Sequence, residues 1–182
     1  MSKIKCYVGP MKSGKSKKLL TDLEDVRDIY SDEHILIIKP NLDSRTPGVI
    51  KSRDGRSAIA HEVENFNDIN KFINNLDIKY IFIDEIQFIN SIGMLDFYKL
   101  VRKKNINVIA SGLNLTSEIK AFAITAKFMC FSDEIEVING VCEKCLCKST
   151  LSDYISKDDK NGSIKIGDSE YISVCHNHHS KM

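Results

Sequence analysis

Gly9-Pro10-Met11-Lys12-Ser13-Gly14-Lys15-Ser16 fits the pattern G-x-x-x-x-G-K-[ST] at every defined position and follows a short apolar run, Ile4 to Val8. Strand, glycine-rich loop and helix start in that order make a phosphate-binding loop. Glycines at both ends let the backbone curl so that successive N–H groups point inward at phosphate oxygens, and the helix that follows adds the positive end of its dipole. In such a loop Lys15 reaches the β- and γ-phosphates and the Ser16 hydroxyl binds Mg²⁺. The loop therefore fixes a nucleoside triphosphate as one ligand.

The rest of the first 140 positions supplies a sheet. Leu19, Leu20, Leu23, Val26 and Tyr30 recur at helical spacing, and Ile35-Leu36-Ile37-Ile38 is a continuous apolar run of the kind buried on both faces. From Asn41 to Val63 the pattern breaks into a loop and a hairpin about Asp54-Gly55. Ile69, Phe72, Ile73 and Leu76 mark a second helix, Tyr80 to Ile83 a third strand, Met94, Leu95, Tyr98 and Val101 a third helix, and Val108 to Ala110 a fourth strand ending in a Ser111-Gly112 turn. Alternating strands and helices predict an α/β fold, a parallel sheet of the P-loop NTPase type with helices on both faces and ligands at the carboxyl ends of the strands. Composition shifts after Gly140, so the expected domains are residues 1–140, which bind nucleotide, and a small unit at 141–182, with Ser163 to Val174 as a hairpin about Gly167-Asp168.

Asp84 closes the third apolar strand, the usual place for a carboxylate that holds Mg²⁺ opposite Ser16. Glu85 then stands beside the γ-phosphate, where it can orient or deprotonate an attacking hydroxyl. Water as the attacker would make an ATPase, and a bound substrate a kinase; the motif leaves both open.

Charge and cysteine placement narrow the partners. With 26 basic and 25 acidic residues the net charge is +1, which offers no field to draw nucleic acid or an acidic membrane. No secretory apolar region opens the chain and no apolar run approaches a membrane span, so a cytoplasmic location is expected. Four of the six cysteines fall late. Cys142-x-x-Cys145 and Cys175-x-x-His178 make two metal-ligand pairs suited to a closed, structural Zn²⁺ with three thiolates and one imidazole. His178 is preferred as fourth ligand because its spacing mirrors the first pair; His176, His179 and Cys147 are the alternatives.

Together these residues resemble the cytosolic, zinc-containing thymidine kinases, the type II deoxynucleoside kinases of bacteria, large DNA viruses and animals. The resemblance runs from Lys3 to His178 and rests on Gly-Pro-Met inside the loop, Asp84-Glu85-Ile86-Gln87-Phe88, Gly112-Leu113 and Gly167 with Tyr171 and Val174-Cys175. It implies transfer of the ATP γ-phosphate to the 5′-hydroxyl of thymidine, with Glu85 as general base. It adds Gln87 and Arg45 to the ATP site, gives Asp43 a part in holding Mg²⁺, and places Met11, Phe88, Leu113, Phe122, Ser152, Ile166, Gly167 and Tyr171 around the nucleoside. The last three belong to a lasso hinged at the zinc site. The family is usually tetrameric, which implies a homotetramer, with no nucleic acid and no membrane as partners.

Departures from the family pattern sit around the base. Asn114-Leu115-Thr116-Ser117-Glu118 stands where many members have Asp-Gly-Thr-Phe-Gln, Ile166-Gly167-Asp168 where two glycines are usual, Ser152 where Thr is frequent, and Arg53 where His is common. The competing reading is a non-kinase P-loop NTPase whose zinc unit binds nucleic acid; near-neutral charge and the lack of a basic, aromatic-rich strip in Ser149 to Val174 count against it.

Overall fold

The computed structural model describes residues 2–43, 46–155 and 170–182. Arg45, Ile166, Gly167 and Asp168 lie outside the described residues, as does most of the expected 163–174 hairpin.

Six strands form the central sheet in the order β5-β2-β6-β7-β1-β8: β1 (Ile4–Val8), β2 (Ile35–Pro40), β5 (His61–Val63), β6 (Tyr80–Ile83), β7 (Asn107–Gly112) and β8 (Glu134–Val137). Every neighbouring pair is parallel. All carboxyl ends therefore share one edge, and the ends of β1, β7 and β6 lie side by side along it.

Side-chain alternation divides the core into two layers. Ile35, Ile37 and Phe82 face α1 (Lys15–Arg27), packing with Leu19, Leu20, Leu23 and Val26, and the hairpin of β3 (Val49–Lys51) and β4 (Ser57–Ile59) covers the same side through Ile50 and Ala58. Leu36, Ile38, Ile81 and Ile83 face the other way, against α2 (Phe66–Asn75), α3 (Met94–Lys103) and α4 (Ala123–Phe131), which contribute Ile69, Ile73, Met94, Phe97, Val101 and Phe128. Helices thus cover both faces, as the apolar runs predict. No helix among the described residues is long and apolar enough to cross a membrane.

The structure also differs from the sequence expectations in detail. Helix α4 and strands β5 and β8 have no counterpart among the predicted elements. Strand β7 runs through Gly112, so Ser111 and Gly112 belong to the strand rather than to a turn. Tyr30 lies beyond the end of α1 and packs against Tyr80 at 5.3 Å, while Leu76 is the exposed residue that ends α2.

After β8 the chain forms two small antiparallel pairs, β9 (Gly140–Val141) with β10 (Lys148–Ser149) and β11 (Leu151–Tyr154) with β12 (Tyr171–Val174). The described partner of Tyr171–Val174 is thus Leu151–Tyr154, a strand that the expected local hairpin did not include.

Candidate active site

The phosphate loop leaves β1 at Gly9 and enters α1 at Lys15. A side chain on Gly9 would put its Cβ 2.0 Å from the Ile138 carbonyl oxygen, so only glycine lets the loop pass that close to the chain following β8. Gly14 caps α1 in the left-handed region at φ +92°. Lys15 is buried, and its Nζ donates to the Pro10 carbonyl at 2.6 Å and to Ser13 Oγ at 3.4 Å, which arches the ammonium over the loop. Ser16 follows Lys15 in the first turn of α1 and lines the same cleft as Asp84.

Asp84 is buried at the end of β6, where Ser111 Oγ donates to its Oδ1. Burial, with the Glu85 charge beside it, outweighs the opposing pull of the Ser111 and Ser16 hydroxyls and raises its pKa to about 6. Glu85 adopts φ +51°, a left-handed conformation that costs a non-glycine residue on the order of 1 kcal/mol or more. That kink turns the chain so that Asp84 and Glu85 both line the cleft, where an extended strand would send them to opposite faces. Gln87 then holds the turn in place: its Nε2 donates to Glu85, and its Oε1 accepts the Leu113 N–H at 3.0 Å.

These groups line one side of a cleft of about 1260 Å³. Met11, Phe88, Leu113, Phe122, Ser152 and Tyr171 all line it, with Phe88 and Phe122 edge-to-face at 6.2 Å and Tyr171 against Tyr154 at 5.1 Å. Lys12, Ser13, Gly14, Lys15, Ser16 and Asp43 line it as well, whereas Gly9, Pro10 and Gln87 are not among its lining residues. Asp43 is buried, 3.3 Å from the ammonium of the buried Lys39.

Lining residues that sequence reasoning did not assign include Lys39, Arg53, Thr116, Glu118, Lys120 and Tyr154. Thr116, Glu118 and Lys120 reach the cleft through a tight turn closed by a Thr116 N–H to Lys120 O bond of 2.8 Å and the Leu115–Ala121 bridge. The departure at 114–118 thus falls on the cleft wall; only its mismatch to the family pattern signalled this.

The late cysteines meet as their spacing predicts. Ligand atoms of Cys142, Cys145, Cys175 and His178 all lie within 4.8 Å of one another. Cys142 Sγ and His178 Nδ1 are 3.8 Å apart, Cys145 and Cys175 Sγ 3.7 Å, and Cys175 Sγ and His178 Nδ1 3.2 Å. Four ligands at zinc distances stand roughly 3.3–3.8 Å from one another in a tetrahedron, so the donor set fits the ion. The alternative ligands are placed otherwise. His176 Nε2 is 3.2 Å from Thr150 Oγ1, the buried His179 accepts the Lys181 N–H at 3.1 Å, and Cys147 is 3.0 Å from Cys145 Sγ but outside the group of four.

A family model described as thymidine kinase matches residues 2–179. The thymidine kinase of Ureaplasma urealyticum serovar 10 is 34% identical over 97% of this chain and 82% of its own. That of Pseudothermotoga lettingae is 32% identical over 99% and 96%, and that of Lactococcus lactis subsp. lactis 29% identical over 100% and 98%. Among solved structures, the Pif1 helicase from Candida albicans aligns with 76% of this chain and 36% of that one at 14% identity and a TM-score of 0.45, too slight a likeness to carry any argument. Match length and the agreement of the thymidine kinase relatives over nearly the whole chain place it in one family: this chain belongs to the thymidine kinases.

Proposed function

We propose that the chain is an ATP:thymidine 5′-phosphotransferase, moving the γ-phosphate of ATP to the 5′-hydroxyl of thymidine to give dTMP for nucleotide salvage. The observation that carries this reading is the single cleft that joins a phosphate loop, through Asp84 and Glu85, to an apolar and aromatic wall of Met11, Phe88, Leu113 and Phe122. A phosphate site alone suits any ATPase; one that opens onto an apolar, aromatic wall suits a kinase whose acceptor is bound rather than solvent.

Each residue then has a task. Lys15 neutralises charge on the transferring phosphoryl group, and loop N–H groups orient the β- and γ-phosphates. Ser16 and Asp84, which line the same cleft, are the groups that would hold Mg²⁺, with Asp43 on that cleft too; the ion would supply charge neutralisation for the transferring phosphoryl group. Glu85 accepts a hydrogen bond from the 5′-hydroxyl, orients it in line and takes its proton. The family resemblance assigns Arg45 to the phosphate site, and Met11, Phe88, Leu113, Phe122, Ser152, Ile166, Gly167 and Tyr171 to nucleoside binding. Cys142, Cys145, Cys175 and His178 would hold Zn²⁺ as a structural staple, since four protein ligands would leave no position for catalysis.

The same reading divides the chain at 140/141, between nucleotide-binding and zinc-binding parts, and assembles it as a cytoplasmic homotetramer; light scattering on the purified protein tests the assembly. A panel of deoxynucleosides with ATP as donor tests the function. Thymidine is expected to give the highest kcat/KM, and ADP release that is indifferent to nucleoside but stimulated by single-stranded DNA would remove the reading.

A further inference from the structure

We propose that Glu143 is a positioning residue that fastens the phosphate loop to the β11–β12 pair, so that the phosphate end and the base end of the cleft hold one geometry. The proposal rests on the nucleoside kinase reading above.

Glu143 lies between two thiols of the metal cluster, Cys142 and Cys145. Its main-chain N–H donates to the Ser173 carbonyl at 2.9 Å, and its Oε1 accepts the Ser173 N–H at 3.0 Å, so it grips one residue of β12 from both sides. The same carboxylate reaches the phosphate loop, with Oε1 2.9 Å and Oε2 3.3 Å from Lys12 Nζ.

A second contact runs beside the first. The Met11 N–H donates to Ser152 Oγ at 2.8 Å, and Ser152 is paired in register with Ser173. Consecutive loop residues, Met11 and Lys12, are thus held through facing residues of β11 and β12, the strands that carry Ser152, Tyr154 and Tyr171 to the cleft. Lys12 is also left-handed, at φ +62°, a conformation that costs a lysine on the order of 1 kcal/mol and needs fixed partners to persist.

An ion pair between two mobile surface side chains contributes little. Here the Ser173 N–H fixes the carboxylate, on a residue next to a metal-ligand candidate, so the pair sets a position as well as adding attraction. Neither the loop motif nor the Cys-x-x-Cys pair specifies Lys12 or Glu143; both fall at variable positions of their motifs.

Wild type, Glu143→Ala and Glu143→Gln, all zinc-loaded, are compared for zinc content, Tm, KM for ATP and for thymidine, and the Tm shift produced by ATP alone. With Glu143→Ala we expect unchanged zinc, kcat within about threefold, and both KM values raised about 3–10-fold. Glu143→Gln keeps an acceptor for the Ser173 N–H but loses the charge toward Lys12. It should show the raised ATP KM, a smaller ATP-induced Tm shift, and a thymidine KM nearer wild type. Both KM values within twofold of wild type in Glu143→Ala would overturn the proposal. So would zinc loss from Glu143→Ala with Glu143→Gln normal in both KM values, which describes a metal-site anchor and nothing more. Should wild type phosphorylate no nucleoside, the function fails, while the ATP-induced shift in the two variants still decides whether Glu143 positions the loop.

Discussion

Ser111 Oγ donates a hydrogen bond to Asp84 across the carboxyl ends of adjacent strands β7 and β6, and still leaves this buried carboxyl with a pKa of about 6. The folded protein therefore holds the Asp84 proton more tightly than the unfolded chain, whose Asp pKa is roughly 3.9. Its contribution to stability is fully present below pH ~4 and is lost as pH rises through about 6.

Asp84→Asn should accordingly raise the Tm of ligand-free protein at pH 7.5 by about 3–8 °C and by less than about half as much at pH 4.5. The same substitution should cut phosphoryl transfer at least ~100-fold, because the amide cannot replace a carboxylate on Mg²⁺. Thermal unfolding at the two pH values, with an activity assay, checks both. An equal Tm gain at the two values would mean that the effect is packing and not ionisation.

Glu85→Gln keeps size and polarity but cannot take a proton. Its kcat should fall by roughly 10²–10⁴ with little change in thymidine KM. Because φ +51° at this position belongs to the backbone turn, the variant should unfold at nearly the wild-type Tm. A kcat within about threefold of wild type and a sharply raised thymidine KM would make Glu85 a substrate-binding residue instead.

Chelation of the metal, or Cys175→Ser, should lower Tm and raise thymidine KM together, since Cys175 directly follows β12, the strand that carries Tyr171. Elemental analysis should find about one zinc per chain. Protein isolated without zinc and with freely titratable thiols contradicts this.

What the sequence made legible was local. The phosphate loop, the Asp84-Glu85 strand end and the two ligand pairs are short motifs whose spacing is their geometry, and continuous apolar runs such as Ile35 to Ile38 could only be buried strands. Elements held by distant partners were harder to read. Strand β8 alternates Glu-Ile-Glu-Val with Ile135 and Val137 exposed, the reverse of a half-buried strand; backbone pairing to β1 and the contacts of Glu134 with Lys5 at 3.3 Å and Glu136 with Lys18 at 3.0 Å hold it in place. Strand β5 is three residues of an edge, too short to show a period. Helix α4 is apolar nearly all round, so no stripe marks it. The pairing of β12 with β11 is a long-range choice, whereas the Gly167-Asp168 turn signal spoke only for its neighbours. Glu143 was invisible for a related reason: between two cysteines it looks like a charged spacer, and only the folded chain brings it to Lys12.

The most direct measurement is product identification by mass spectrometry after incubating purified protein with ATP, Mg²⁺ and thymidine. The account predicts 5′-dTMP in a one-to-one ratio with ADP, and neither product above background from Lys15→Met, which should fold like wild type because Lys15 turns into the loop rather than into the core. ADP formed without dTMP, or dTMP formed at a comparable rate by Lys15→Met, would contradict it.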